Sequence, residues 1–346
     1  MALWLARAGK HGEKEDKFLK DNRVYATWDD FNEDLEKIKT RQDLLNHIQA
    51  IERYKNEKLN TMKNWASQLW PFVHEMKTGD WIILPSKKKP AIHVAEIVSP
   101  YRYDSKADDP YYHFRDVKWI ATDIPRSNFD QDLLYSFGAL QTIYQIKRNE
   151  AEKRIREMAK NGWVSKGMPE IVIKGGEQEK SDGLVDLELL ARDQIAQLIA
   201  RKFKGHDLAR LVDAILKAQG YTTYLSPAGP DKGIDILAAP GPLGFGNPRI
   251  CVQVKSGDTA VDLPTMNQLI GSMQNVQADQ GLLVSWSGFK SSIDKEVPTQ
   301  FFRVRLWDQY TIIDELLNSY GKLDEDIKAE LPLKRMWALA IQESEE

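Results

Sequence analysis

Residues 249–256, Arg-Ile-Cys-Val-Gln-Val-Lys-Ser, constrain this chain more than any other stretch. Side chains of a strand alternate between its two faces. Ile250, Val252 and Val254 therefore share one face, and Cys251, Gln253 and Lys255 share the other. The apolar trio has to pack, which puts an amide and an ammonium side by side on the opposite side. A lysine there is costly to bury without an anionic partner. The short strand predicted over Ile234–Ala238 offers one, Asp235.

The surroundings read as an α/β order about a central mixed sheet. Upstream, Leu208, Leu211, Val212, Ile215 and Leu216 recur at helical spacing and stop at Gly220, a C′ residue. The turn SPAGPDKG leads to Asp235. Downstream, the pattern predicts helices over 264–275, 290–297 and 310–319, and strands over 281–285 and 303–307.

The first part of the chain is mixed. Strands are expected over 2–8 and 24–28, separated by the polar loop HGEKEDKFLKDN. A helical pattern covers 29–51, and a second helix with Thr61 as its N-cap runs toward Gly79. Strands at 81–84, 90–98 and 111–120 suggest a meander or small barrel. A long polar loop over 122–137, a strand at 142–146 and a charged helix close this part near residue 160. The expected fold class is α+β or α/β, with a small mixed β-barrel first and an α/β domain second. The expected division is a first domain over 1–160, a linker over 161–186, a second domain over 187–320 and a helical tail over 321–346.

Several function classes drop out. A net charge of −3 gives no global basic signature, so any nucleic-acid contact rests on local patches. The one cysteine, Cys251, permits no disulfide within the chain, and no Cys/His cluster has zinc-ligand spacing. MALWLARAGK is no signal peptide, and no apolar run reaches membrane-span length. These features lead us to expect a cytoplasmic protein with no membrane partner.

A carboxylate, an amide oxygen and an ammonium at one sheet edge suit a hard divalent ion and a water. Mg2+ (or Mn2+) takes oxygen ligands and keeps several waters, so Asp235 and Gln253 suffice as protein ligands. Lys255 is then placed to position the attacking water or to stabilise the transition state.

GPDKGIDI, a hairpin and CVQVKS together resemble the Mrr-type catalytic domain of the PD-(D/E)xK nuclease superfamily, in which a Gln often replaces the second acid to give a QxK motif. GLLVSWSGF and VRLWDQY are similar to later strand segments of that family, so the resemblance covers roughly residues 200–320. It implies that Asp235 is a metal ligand, Gln253 a second ligand or water contact, and Lys255 the catalytic lysine. In one respect the sequence departs. Family members often carry a Glu on the preceding helix, where this chain has Leu208-Ala209. Asp207 and Asp213 are the candidates to replace it, and both are expected among the catalytic residues.

The first domain resembles the EVE/PUA-like family in the order LWLARAG, NWASQLWPFVHEMKTGD, WIILP and IHVAEIVS. That resemblance implies a pocket for a modified base flipped out of a duplex. Reading an extruded base requires stacking on aromatic faces. Trp28, Trp65, Trp81, Tyr101 and Tyr103 are the aromatic candidates, and Arg126 and Asn128 are candidate phosphate or base contacts. The combined expectation is a Mg2+-dependent, modification-dependent DNA endonuclease acting on base-modified duplex, with a homodimer to cut both strands. A non-catalytic binding protein on the same scaffold and a repair or RNA-directed nuclease are the alternatives.

Overall fold

The computed structural model describes residues 1–163, 186–227, 233–257 and 259–337. They fall into two compact units, residues 1–191 and 192–337. The first contains, in order, β1 (Leu3–Ala6), α1 (Glu15–Asp21), β2 (Arg23–Ala26), α2 (Arg41–Ala50), α3 (Leu59–His74), β3 (Trp81–Pro85), β4 (Ala91–Ile97), β5 (Arg102–Tyr103), β6 (His113–Pro125), α4 (Gln131–Phe137), β7 (Ile143–Gln145) and α5 (Ala151–Lys160). The strands form one curled sheet, a half-barrel, in the order β2-β6-β4-β3-β1-β7, with β5 on β6. β1 and β3 run parallel, and the other pairs are antiparallel.

Strand alternation divides this unit's interior into two cores. Trp4, Ala6, Ile82 and Leu84 meet Leu44 of α2 and Trp65 and Phe72 of α3 on one face. Leu3, Leu5, Trp81 and Ile83 meet Leu133 and Phe137 of α4 and Ile155 of α5 on the other. Cover on both faces is why LWLA and WIILP read as continuous apolar runs rather than alternating ones.

The structure corrects four local expectations here. The polar stretch before β2 contains α1, held by one apolar anchor, Phe18, which is 0% exposed, and stopped by Asn22 in a left-handed conformation (φ 53°). The helical pattern over 29–51 shortens to a 3-10 turn at Leu35–Lys37 and to α2, because Thr40 caps α2 by accepting from the Asp43 N–H. Thr61 is not an N-cap, since α3 already begins at Leu59 and has Lys58 in that position. The loop expected over 122–137 is the end of β6, a 3-10 turn at Arg126–Asn128 and α4. The expected linker falls almost wholly outside the described residues.

α6 (Leu187–Lys202) begins before the division at residue 191 and continues into the second unit, which then contains α7 (His206–Ala218), β8 (Tyr221–Leu225), β9 (Ile236–Pro240), β10 (Ile250–Lys255), α8 (Leu263–Asn275), β11 (Gln280–Ser285), α9 (Ser291–Gln300), β12 (Val304–Trp307), α10 (Gln309–Ser319) and α11 (Glu325–Glu330). Its sheet order is β12-β11-β10-β9-β8. The β8, β9 and β10 pairs are antiparallel, and the β10, β11 and β12 pairs are parallel. This is the expected mixed sheet, extended by β8, which the pattern did not reveal.

Helices cover both faces. Val252 and Val254 of β10 pack with Leu211 and Ile215 of α7 and Ile312 and Leu316 of α10. Cys251 packs on the other side with Met266, Leu269 and Met273 of α8. The alternation read from residues 249–256 is thus the alternation in the fold. Burial, with a contribution from the Asp235 charge, pushes the Cys251 thiol up to about 11. Because the thiolate is the reactive form, Cys251 is expected to resist iodoacetamide at pH 8 in the native protein and to react once it is unfolded. Mass spectrometry checks this, and native labelling at the rate of a free thiol would contradict the packing.

Candidate active site

β10 is buried from Cys251 to Val254 and reaches the half-buried Lys255 at its C-terminal end. Antiparallel pairing of β9 with β10 sets Ile236 opposite Val252, so the residue before β9, Asp235, comes level with Gln253. Two backbone contacts fix it there. The Asp235 N–H donates to the Val252 carbonyl at 3.0 Å, and Asp235 Oδ2 accepts from the Val254 N–H at 2.8 Å. The carboxylate is thereby tied to the backbone of the strand that carries Gln253 and Lys255.

Gln253 is the unusual member. It is 0% exposed, and neither its Oε1 nor its Nε2 has a hydrogen-bond partner among the described residues. A buried polar group left unpaired costs about 1–3 kcal/mol, and such groups call for a specific explanation. Lys255 projects on the same side of β10, and its carbonyl accepts from the Trp286 N–H at 3.0 Å. Asp235, Gln253 and Lys255 are therefore brought together, as the alternation required.

A divalent ion fits this donor set. One carboxylate and one amide oxygen are hard ligands of the kind Mg2+ accepts while keeping its own waters, and the orphaned Gln253 amide is the group such an ion would satisfy. Among the described residues, no three His, Cys, Asp or Glu side chains cluster to hold a metal. Asp207 and Asp213 accordingly do not join Asp235 in a carboxylate cluster. Asp207 is exposed and meets Arg210 Nε at 3.3 Å, and Arg210 in turn holds Glu330 in a two-pronged pair. Asp213 is buried, with Oδ2 2.8 Å from Lys217 Nζ. Its helix, α7, packs on the Val252 and Val254 face, opposite to that of Gln253.

Residues 200–316 match the family Mrr_cat, described as a restriction endonuclease. The second unit carries an Mrr-type restriction endonuclease domain. Residues 4–147 match a domain of unknown function, DUF8426. No curated protein matches the chain. Among the solved structures that resemble it are two at 14% identity each. One is the DNA modification-dependent restriction endonuclease AspBHI (TM-score 0.34, covering 73% of this chain and 67% of that one). The other is the MspJI restriction endonuclease in complex with a 27-mer oligonucleotide (TM-score 0.31, covering 96% and 80%). Among the described residues, no helix is long and apolar enough to cross a membrane.

In the DUF8426 unit the aromatic candidates separate. Trp28 and Trp65 line one cavity of about 530 Å³, together with Lys10, Glu13, Lys14 and Tyr54. Tyr54 was not singled out in the sequence, yet its ring packs 4.8 Å from that of Trp65. Trp81 lies in the opposite core, with the Arg156 guanidinium 4.3 Å above its ring. Tyr101 is buried, and its hydroxyl bonds His113 Nδ1 at 2.7 Å. The Tyr103 hydroxyl donates to Asn32 Oδ1 at 2.6 Å. Arg126 is 1% exposed, which takes its guanidinium off the surface where a phosphate contact was expected, and Asn128 is half-buried beside it. Tyr101 and Tyr103 thus frame a histidine rather than the cavity.

Proposed function

We propose that the Mrr_cat domain is a Mg2+-dependent (or Mn2+-dependent) DNA endonuclease and that the DUF8426 unit reads a modified base, which makes the chain a modification-dependent restriction enzyme. The observation that carries the nuclease half is Gln253, buried and unpaired beside an anchored Asp235. Asp235 and Gln253 would hold the ion, which supplies a water of lowered pKa and neutralises phosphoryl charge. The β10 backbone holds the Asp235 carboxylate in place, so little reorganisation is needed as the phosphate arrives. Lys255, on the same face, contributes a positive charge where negative charge gathers on the phosphorus oxygens. Hydrolysis exchanges one P–O ester bond for a terminal phosphate and a free hydroxyl. Breaking both strands needs two such sites, which a pair of chains would provide.

The reader half is supported by the cavity that contains Trp28, Tyr54 and Trp65. Its aromatic members suit a stacked base, and Lys10 and Lys14 suit the flanking phosphates. The test is cleavage of plasmid carrying methylated, hydroxymethylated or no modified bases, in Mg2+. The wild type should cut modified DNA at least tenfold faster than unmodified DNA. Trp28→Phe, which keeps a ring at this buried position, should reduce that preference without removing cutting. Equal cutting of all substrates would remove the reader, and binding without cutting of any would favour the non-catalytic alternative.

A further inference from the structure

Gly233 stands two residues before Asp235, with φ +80°, a conformation glycine adopts without strain. A Cβ at this position would lie 3.0 Å from Gln253 Nε2 and 3.0 Å from Gln268 Nε2. Two amides, one on β10 and one on α8, thus flank a notch that only a missing side chain keeps open. Gln253 is its buried wall, and Gln268 is exposed. The packing of α8 does not depend on Gln268, because Met266, Leu269 and Met273 make its core contacts. Two amide N–H donors near a carboxylate and a lysine form a set suited to a tetrahedral anion, since amides stabilise developing charge without adding a titratable group.

We propose that Gln268 is a further substrate-binding residue of this site. It donates from Nε2 to a non-bridging oxygen of the scissile phosphate, and Gly233 is the position that has to stay bare for that oxygen to enter. This rests on the endonuclease reading, which assigns no role to either residue.

Gln268→Ala tests it, because an exposed glutamine can be removed without opening the core. Two quantities are read on the full chain: single-turnover cleavage of a modified duplex in Mg2+, and affinity for the same labelled duplex in Ca2+ by fluorescence anisotropy. Gln268→Ala is expected to slow cleavage roughly 10- to 100-fold, the range for a hydrogen bond to a charged group, and to weaken Ca2+-dependent binding by a smaller factor, roughly 3- to 10-fold. The melting temperature should stay unchanged, which a purely structural role would not predict. Gly233→Ala should reproduce both losses by filling the notch. If Gln268→Ala matches wild type in both measurements while Asp235→Asn is inactive, the Gln268 assignment falls and the nuclease reading stands. If wild type neither cleaves nor shows Ca2+-dependent binding, both fall together.

Discussion

Asp235→Asn is expected to lower the cleavage rate by about 10³-fold or more while leaving the fold intact. The size follows from the several kcal/mol of charge stabilisation that an ion held by Asp235 would supply, with each 1.36 kcal/mol worth tenfold in rate. The choice of Asn follows from the structure. Asp235 Oδ2 accepts the Val254 N–H at 2.8 Å, and the Asn amide oxygen can keep that bond. Asp235→Ala would instead leave a backbone donor unpaired at a cost of about 1–3 kcal/mol, mixing stability loss with loss of chemistry. Single-turnover rates on modified duplex, beside thermal melts of both proteins, separate the two effects. A rate for Asp235→Asn within tenfold of wild type would remove Asp235 from the reaction. Lys255→Met should give a comparable loss, but one that added metal does not relieve, because the missing charge belongs to the chain.

How much of this was legible in the sequence depends on which residues are asked about. Gln253 and Lys255 were paired correctly, because period-2 alternation is a local property and Val252 and Val254 had to find a core. Asp235 was legible for a related reason: the Gly- and Pro-rich residues 241–249 are few enough that the strand after Asp235 folds back antiparallel against β10. Gly233 and Gln268 were not. Their importance comes from a tertiary approach between a turn and the second turn of α8, and no periodicity records that approach. α1 stayed hidden because Phe18 is its one fully buried apolar side chain, and every other position except Leu19 is charged. β8 stayed hidden because Tyr-Thr-Thr-Tyr-Leu lies at the edge of the sheet with two of its five residues exposed and none fully buried, where apolar patterning is weakest. The tryptophans show the same limit. Trp28 and Trp81 look alike in sequence, but one lines a cavity and the other lies in the opposite core, and that difference is set by which face of the curled sheet each one meets.

His113 is the residue through which pH is expected to act on stability. It is 0% exposed, and its ring stacks near those of Tyr101 (6.0 Å, 18°) and Tyr103 (5.5 Å, 23°). Nε2 donates to the Phe31 carbonyl at 2.7 Å, and Nδ1 accepts from the Tyr101 hydroxyl at 2.7 Å, so both nitrogens of the neutral ring are used. Burial pushes its pKa from 6.5 down to about 4, against the opposing pull of the Phe31 carbonyl and the Asp34 charge. The folded-state value is therefore the depressed one. As pH falls below 6.5 the unfolded chain takes up a proton that the folded chain refuses, so stability is full above 6.5 and declines until about pH 4. The total loss is on the order of 3 kcal/mol, at 1.36 kcal/mol for each unit of the shift. Denaturant titrations between pH 7 and 4.5 would show this as a falling midpoint, in a window largely above that of the ordinary carboxylates. His74 shifts in the same direction, but it is exposed on α3 and solvent screening reduces its share. His113→Asn keeps a donor and an acceptor without a group that titrates in this range. It should start less stable at pH 7 and lose much less on acidification, and parallel slopes for the two proteins would show that His113 is not the titrating group. Because the same ring holds Tyr101, Tyr103 and the Phe31 backbone a few residues beyond Trp28, acid should loosen the edge of the proposed reader cavity before it reaches the buried strands of the nuclease domain.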